Sequence, residues 1–330
     1  MKSARADMKR FDKPIVVALG GNAISPGEAK GDDVIARQFS ATRKTVAALV
    51  DLIELGGRLL VTHGNGPQVG AALRRVELTS KDVYPLPLHI CGADTQGGMG
   101  YMISQCFNNE LRRRRLDIVA NTIITTVVID KDDPEFQHPT KPVGSYFTAE
   151  DAEVMRKKYG WRMVRARRND QYRRVVPSPA PRRVIESRLI RECIAAGDLI
   201  VAGGGGGVPV ADDGVGGYAG IEGVIDKDRT SAILAREIGA GTLVIATAIR
   251  KVSLNFNKPN QKSIDRMTVA EARRYQADGQ FPPGSMGPKI EAAIDFLTNA
   301  DDPEAVVIIC DLARLMEATN GRDGTWIVPG

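Results

Sequence analysis

Short β-branched apolar runs alternate with stretches of helical periodicity from one end of the chain to the other. The runs Pro14 to Leu19, Gly57 to Thr62, Asp117 to Ile129, Leu199 to Ala202, Thr242 to Thr247 and Ala305 to Cys310 predict strands. Between them, Val46, Leu49, Val50 and Ile53 recur on one helical face that stops at Gly56 and Gly57. Val69, Ala72, Leu73 and Val76 form a second such face, and Met99, Met102, Ile103 and Cys106 a third. This alternation predicts an α/β fold with a largely parallel sheet.

Between Asp130 and Arg183 the pattern breaks. Pro134, Pro139, Pro142, Pro177, Pro179 and Pro181 punctuate a charged stretch whose one helix starts at Thr148, with Asp151 three residues on. So long a departure inside a compact chain predicts a protruding lid, residues 130–183, inserted in a single domain spanning 14–330, with 1–13 a flexible extension. A second capping box, Thr268 to Glu271, opens another short helix.

At 330 residues and 43% hydrophobic, the chain can build a large core. It has no apolar run near the ~20 residues that cross a bilayer, and "MKSARADMKRFDK" has no signal-like apolar stretch, so no membrane partner and a cytoplasmic location are expected. Cys91, Cys106, Cys193 and Cys310 sit in apolar segments without CxxC spacing, which predicts free buried thiols and no metal site. The net charge of +5 is concentrated in Arg112 to Arg115 and in the arginines from Arg162 to Arg183. The first run reads as a solvated helix end, and the second has only Trp161 and Tyr172 interleaved, a poor platform for bases. No nucleic-acid partner is therefore expected.

Three predicted strands run straight into glycine-rich turns: Gly20, Gly21 and Asn22; Gly64, Asn65 and Gly66; and Gly203, Gly204 and Gly205. The carboxyl ends of parallel strands share one edge of the sheet, so these turns can meet in one crevice. Without a Cβ, backbone N–H groups approach an anion closely. Neither a Walker loop nor a dinucleotide fingerprint is present. Lys227 stands between Asp226 and Asp228 at a helix start for which Asp228 is the expected cap, and Lys289 stands at the start of a helix that Ser285 and Pro288 introduce. Cations at electropositive helix starts predict an incoming polyanion. His63, His89 and His138 group with no serine or cysteine motif, so no hydrolase triad is expected. An acceptor that is already an anionic oxygen needs no general base, which points to a kinase acting on an acid group.

From Pro14 onward, "ALGGNAI", "VTHGNGPQVG", "HPTKPVGSYF", "YRRVVPSPAP", "AGGGGGVPV", "VIDKD", "NFNKPNQ" and "PGSMGPKIEAAI" resemble the carbamate kinases of the amino acid kinase superfamily. The resemblance implies a three-layer α/β/α sandwich with a small protruding subdomain, a homodimer, and reversible phosphoryl transfer between ATP and carbamate, as in arginine, agmatine or purine breakdown. It implies that Lys227 stabilises the moving phosphoryl group with Asp228 and Asp226 orienting it, that Lys289 holds nucleotide phosphates, and that Lys141 reaches in from the lid. Gly20 to Asn22, Gly64 to Gly66 and Gly203 to Gly205 would bind carbamate and phosphate. Thr247, Phe256, Ser285 and Met286 would face adenine. Mg2+ would accompany ATP or ADP, with no protein ligand assigned. The sequence departs from the pattern at Asp94, Gly97 and Gly98, where bulkier, less charged residues are expected, and at Ala248, where many relatives carry an acid. Two other readings remain open at this level: a kinase of another small carboxylic or amino acid, and a non-catalytic nucleotide-binding regulator.

Overall fold

A computed structural model describes residues 12–25, 33–166 and 170–330. The greater part of the expected N-terminal extension, residues 1–11, and Arg167 and Arg168 of the second basic run lie outside these, as does the side chain of Asn22. The central sheet has the order β15 (Arg266–Thr268), β17 (Thr325–Val328), β16 (Val306–Asp311), β12 (Thr242–Thr247), β1 (Ile15–Leu19), β2 (Leu59–His63), β9 (Leu199–Val201), β3 (Ala120–Thr122). All its pairings are parallel except β16 with β17.

Alternate residues of these strands feed two separate cores, because successive side chains of a strand point to opposite faces. Val16, Leu60, Leu243, Ile245, Val307 and Ile309 pack with α6 (Lys227–Glu237) and α8 (Met286–Asn299). Val17, Leu59, Val61, Val244 and Ile308 pack on the other face with α1 (Val34–Glu54) and α3 (Leu88–Arg113). The result is a helix–sheet–helix sandwich, and both faces of the central strands are buried, which is why they read as continuous apolar runs.

The predicted strand Asp117 to Ile129 is divided. Its first part is β3; its second, β4 (Thr126–Ile129), joins another sheet with β11 (Tyr218–Gly220), β10 (Val208–Asp212) and β8 (Pro181–Val184). At the break, the Gln96 amide takes the place of a strand neighbour: its Nε2 donates to the Thr125 carbonyl at 3.1 Å and its Oε1 accepts from the Thr125 N–H at 2.9 Å.

Within 130–183 the chain forms a three-stranded antiparallel sheet, β5 (Lys141–Phe147), β7 (Tyr172–Val176) and β6 (Met163–Arg165), backed by α4 (Ala149–Tyr159). Phe147, Ala152 and Met163 give it a small core of its own. Thr148 caps α4 by accepting from the Asp151 N–H. Arg174 lies over the Trp161 ring and reaches Glu222 at 2.7 Å, joining this lobe to the loop that caps α3 through Leu88 N–H.

The basic run at the end of α3 is not simply a solvated helix end. Arg114 is largely buried and bonds Glu110, Asp51 and Glu54, so it ties α3 to α1. All four cysteines are free; Cys91, Cys106 and Cys310 are buried and Cys193 is half-buried. Among the described residues no helix is long and apolar enough to cross a membrane.

Candidate active site

β1, β2 and β12 end on the same edge of the sheet, and α6 and α8 begin beside it. The cap of α6 is not the expected Asp228 but Asp226, two residues earlier. Asp226, in extended conformation, accepts from the Asp228 N–H at 2.9 Å, and Lys227 is the first helical residue. That shift leaves the Asp228 carboxylate free to turn inward, where it is 4% exposed.

Asp228 then binds two ammonium groups, one per oxygen: Lys227 Nζ at 2.5 Å from Oδ1 and Lys289 Nζ at 2.7 Å from Oδ2. Burial by itself would raise this carboxyl, but the charges of Lys227 and Lys289 outweigh it and hold the group below the usual aspartate range. Asp226 uses its other oxygen for Lys141, whose Nζ lies 3.5 Å away and which reaches across from the lobe. Lys141, Lys227 and Lys289 are thus strung along two adjacent carboxylates.

The first two glycine turns meet this cluster. A Cβ added to Gly64 would stand 3.8 Å from Lys227 Cδ and 3.9 Å from the Gly21 amide nitrogen. The Gly64 N–H itself is taken by the Leu19 carbonyl, so it is not free to bind an anion. Gly20 and Gly21 also border a cavity of about 800 Å³, together with Lys44, Thr247, Lys289 and Asp311. Of the other residues expected near adenine, Met286 is the first residue of α8, Ser285 precedes it without a side-chain cap bond, and Phe256 is exposed on the segment between β13 (Ser253–Leu254) and β14 (Lys262–Ser263). None of these three lines that cavity.

The third turn has a different local reason for its glycines. A Cβ on Gly204 would fall 2.7 Å from His63 Nε2, one on Gly205 2.2 Å from Asn65 Nδ2, and one on Gly206 2.3 Å from the Ile225 carbonyl oxygen. Gly203, Gly205, Gly206 and Gly207 all have positive φ. Close packing of His63 and Asn65 against the turn therefore demands glycine here, whether or not an anion is bound.

His63 lies beside the cluster, near enough for the Lys227 charge to act on it. It ends β2 fully buried, and burial takes its imidazole down to about 4, against the raising effect of the Gly64 carbonyl 3.1 Å from Nδ1 and with the Lys227 charge lowering it further. It is neutral at pH 7. A histidine inside an apolar run followed by Gly-Asn-Gly was the available signal. Asp94 and Gly97 lie on the outer face of α3 with Ile90 and Tyr101, and Ala248 is an exposed border of the 800 Å³ cavity.

A family model described as the amino acid kinase family matches residues 13–310. The chain belongs to the amino acid kinase family. Within that family it is 42% identical to the carbamate kinase-like protein YahI of Escherichia coli K12, covering 95% of this chain and 98% of that protein. It is 40% identical to the carbamate kinase of Thermococcus kodakarensis, covering 96% of this chain and 99% of that one. The solved carbamate kinase of Giardia lamblia bound to AMP-PNP matches with a TM-score of 0.90 at 32% identity, over 96% of this chain and 99% of that structure.

Proposed function

We infer that the protein is a carbamate kinase that transfers a phosphoryl group reversibly between ATP and carbamate, running in the cell from ADP and carbamoyl phosphate to ATP and carbamate. The observation that carries this reading is the bridging of Lys227 and Lys289 by one buried aspartate beside the β1 and β2 glycine turns. Full-length relatives named carbamate kinase, and one bound to AMP-PNP, support the choice of acceptor and nucleotide.

In that direction a β-phosphate oxygen of ADP attacks the phosphorus of carbamoyl phosphate. The new O–P bond forms as the bond from phosphorus to the carbamoyl oxygen breaks, and the electron pair leaves with carbamate. Both oxygens are anionic, so no proton has to move, and neutral His63 is not needed as a base. The work left to the protein is positioning and charge stabilisation. Lys227, held at the phosphoryl end by Asp228, would neutralise the moving group. Lys289, on the other oxygen of the same carboxylate and at the edge of the 800 Å³ cavity, would take the nucleotide phosphates. Lys141 would meet the carbamoyl end, oriented by Asp226. Gly20, Gly21, Asn22 and the Gly64 to Gly66 turn would enclose the acceptor, with Gly203 to Gly205 as its floor. Thr247, Phe256, Ser285 and Met286 would lie toward the base.

Magnesium belongs on the nucleotide phosphates in this scheme. Both carboxylates of the cluster are engaged by lysines, and among the described residues no three His, Cys, Asp or Glu side chains are grouped to hold a metal. Residues 130–183 would act as the lid that brings Lys141 into place. A homodimer in the cytoplasm, where ADP is at hand, completes the proposal; Ile90 and Tyr101, exposed on α3 beside Asp94, offer a mixed apolar and charged face for a second copy.

The test is a coupled assay with ADP and carbamoyl phosphate. ATP formation is expected. No ATP from carbamoyl phosphate, together with ATP-dependent phosphorylation of an amino-acid carboxylate such as that of N-acetylglutamate, would assign the site to a different acid.

A further inference from the structure

Asn65 directly precedes α2 (Gly66–Thr79), and its carbonyl accepts from the Val69 N–H at 2.9 Å, so its backbone is fixed by the first turn of that helix. Its side chain is held as closely. On one side lies Gly205, at φ 63°, where a Cβ would come within 2.2 Å of Nδ2 and 2.4 Å of Oδ1, so the carboxamide rests on bare backbone. On another lies Thr95 of α3, only 9% exposed, whose Oγ1 is 3.0 Å from Asn65 Nδ2.

The Thr95 hydroxyl has a single proton, and it donates that proton to the Gly92 carbonyl at 2.8 Å. Toward Asn65 it can therefore only accept. This decides which end of the carboxamide faces Thr95: it must be the NH2 group, not the oxygen. Among the described residues no other group bonds this amide, so Oδ1 and the second N–H remain for whatever binds beside the turn.

The geometry points to Thr95 as a positioning residue that sets the facing of the Asn65 carboxamide and thereby the preference of the site for a carbamoyl group over an acyl group. The inference rests on the reading above that Asn65 faces the acceptor. A carbamoyl group presents one NH2 donor and one carbonyl acceptor, the complement of the free Oδ1 and N–H. An acetyl group presents a methyl where the NH2 would be, and leaves Oδ1 without its partner. A site that leaves a polar group unpaired discriminates strongly against the analogue that causes it. With the Thr95 acceptor gone, the amide can turn over, and an N–H then opposes the carbamoyl NH2.

The experiment compares kcat/KM for carbamoyl phosphate and acetyl phosphate, with ADP as acceptor, in the parent and in Thr95→Val, Thr95→Ser and Asn65→Ala. Thr95→Val keeps the shape and removes the hydroxyl; Thr95→Ala replaces it should valine not fold. The ratio of carbamoyl to acetyl phosphate is expected to fall about tenfold in Thr95→Val, in keeping with one lost hydrogen bond. KM for ADP should stay within about twofold, and Thr95→Ser should restore the ratio. An unchanged ratio in Thr95→Val, with Asn65→Ala impaired, overturns the role of Thr95 alone. Equal damage in Thr95→Ser and Thr95→Val overturns it as well, since serine retains the acceptor. Parental ratio and parental kcat/KM in Asn65→Ala would instead remove Asn65 from the acceptor site, and the inference with it.

Discussion

At the scale of single residues, charge and burial oppose one another around Asp228 and His63, and the outcome differs. Asp228 is buried with two ammonium partners and stays ionised; His63 is buried beside one of the same lysines and stays neutral. For His63 the folded value of about 4 lies below the ordinary 6.5 of the unfolded chain, so between those values the unfolded state binds the extra proton. Stability must then fall as pH drops through that window. Urea unfolding at pH 7 and pH 5 should show the parent losing about 2 kcal/mol more than His63→Gln over the same interval; parallel losses would mean that His63 is not held neutral. Lys227 and Lys289 stood out in the sequence because a cation at a helix start is out of place. The burial of His63 did not, since the Gly204 backbone that closes over its ring is far from it along the chain. The glycines of 203–207 were legible as special, but the contacts that demand them come from distant parts of the chain, among them His63, Asn65 and Ile225.

At the scale of elements, the start of α6 serves both the helix and the site. Asp226 caps it with one oxygen and holds Lys141 with the other. Asp226→Asn keeps an oxygen for the cap and gives up the charge, whereas Asp226→Ala gives up both. The Lys141 pair is 3.5 Å long with Lys141 44% exposed, so it contributes little to folding. The asparagine variant should stay within about 0.5 kcal/mol of the parent in thermal or chemical unfolding, and the alanine variant should lose about 1 kcal/mol. Both should lower kcat/KM for carbamoyl phosphate. If asparagine leaves kcat/KM untouched, Asp226 is a cap and nothing more. Apolar periodicity found the central strands and the long helices because each serves a buried face. It could not find the break at Thr125, where β-branched residues continue on both sides and a glutamine from α3 changes the partner. It also passed over β17, whose antiparallel place beside β16 depends on the returning chain.

At the scale of the whole molecule, the two cores fix the sheet edge, and the sheet edge fixes where the turns and helix starts meet. The small lobe adds Lys141 to that edge and is joined to the main body by Arg174 and Glu222. The family was legible from ordered motifs along the chain, and the sandwich follows from it. The shared carboxylate was not, because Lys289 is 61 residues from Asp228 and only α6 packing against α8 brings them together. The central claim is that the ammonium groups on these two aspartates stabilise one moving phosphoryl group. Its most direct test is kcat for ATP formation from ADP and carbamoyl phosphate in Lys227→Ala, with circular dichroism to show that the fold is kept. The account predicts a loss of about 100-fold or more, the scale of removing a charge stabiliser from a transition state; a loss below about tenfold in a folded variant would contradict it.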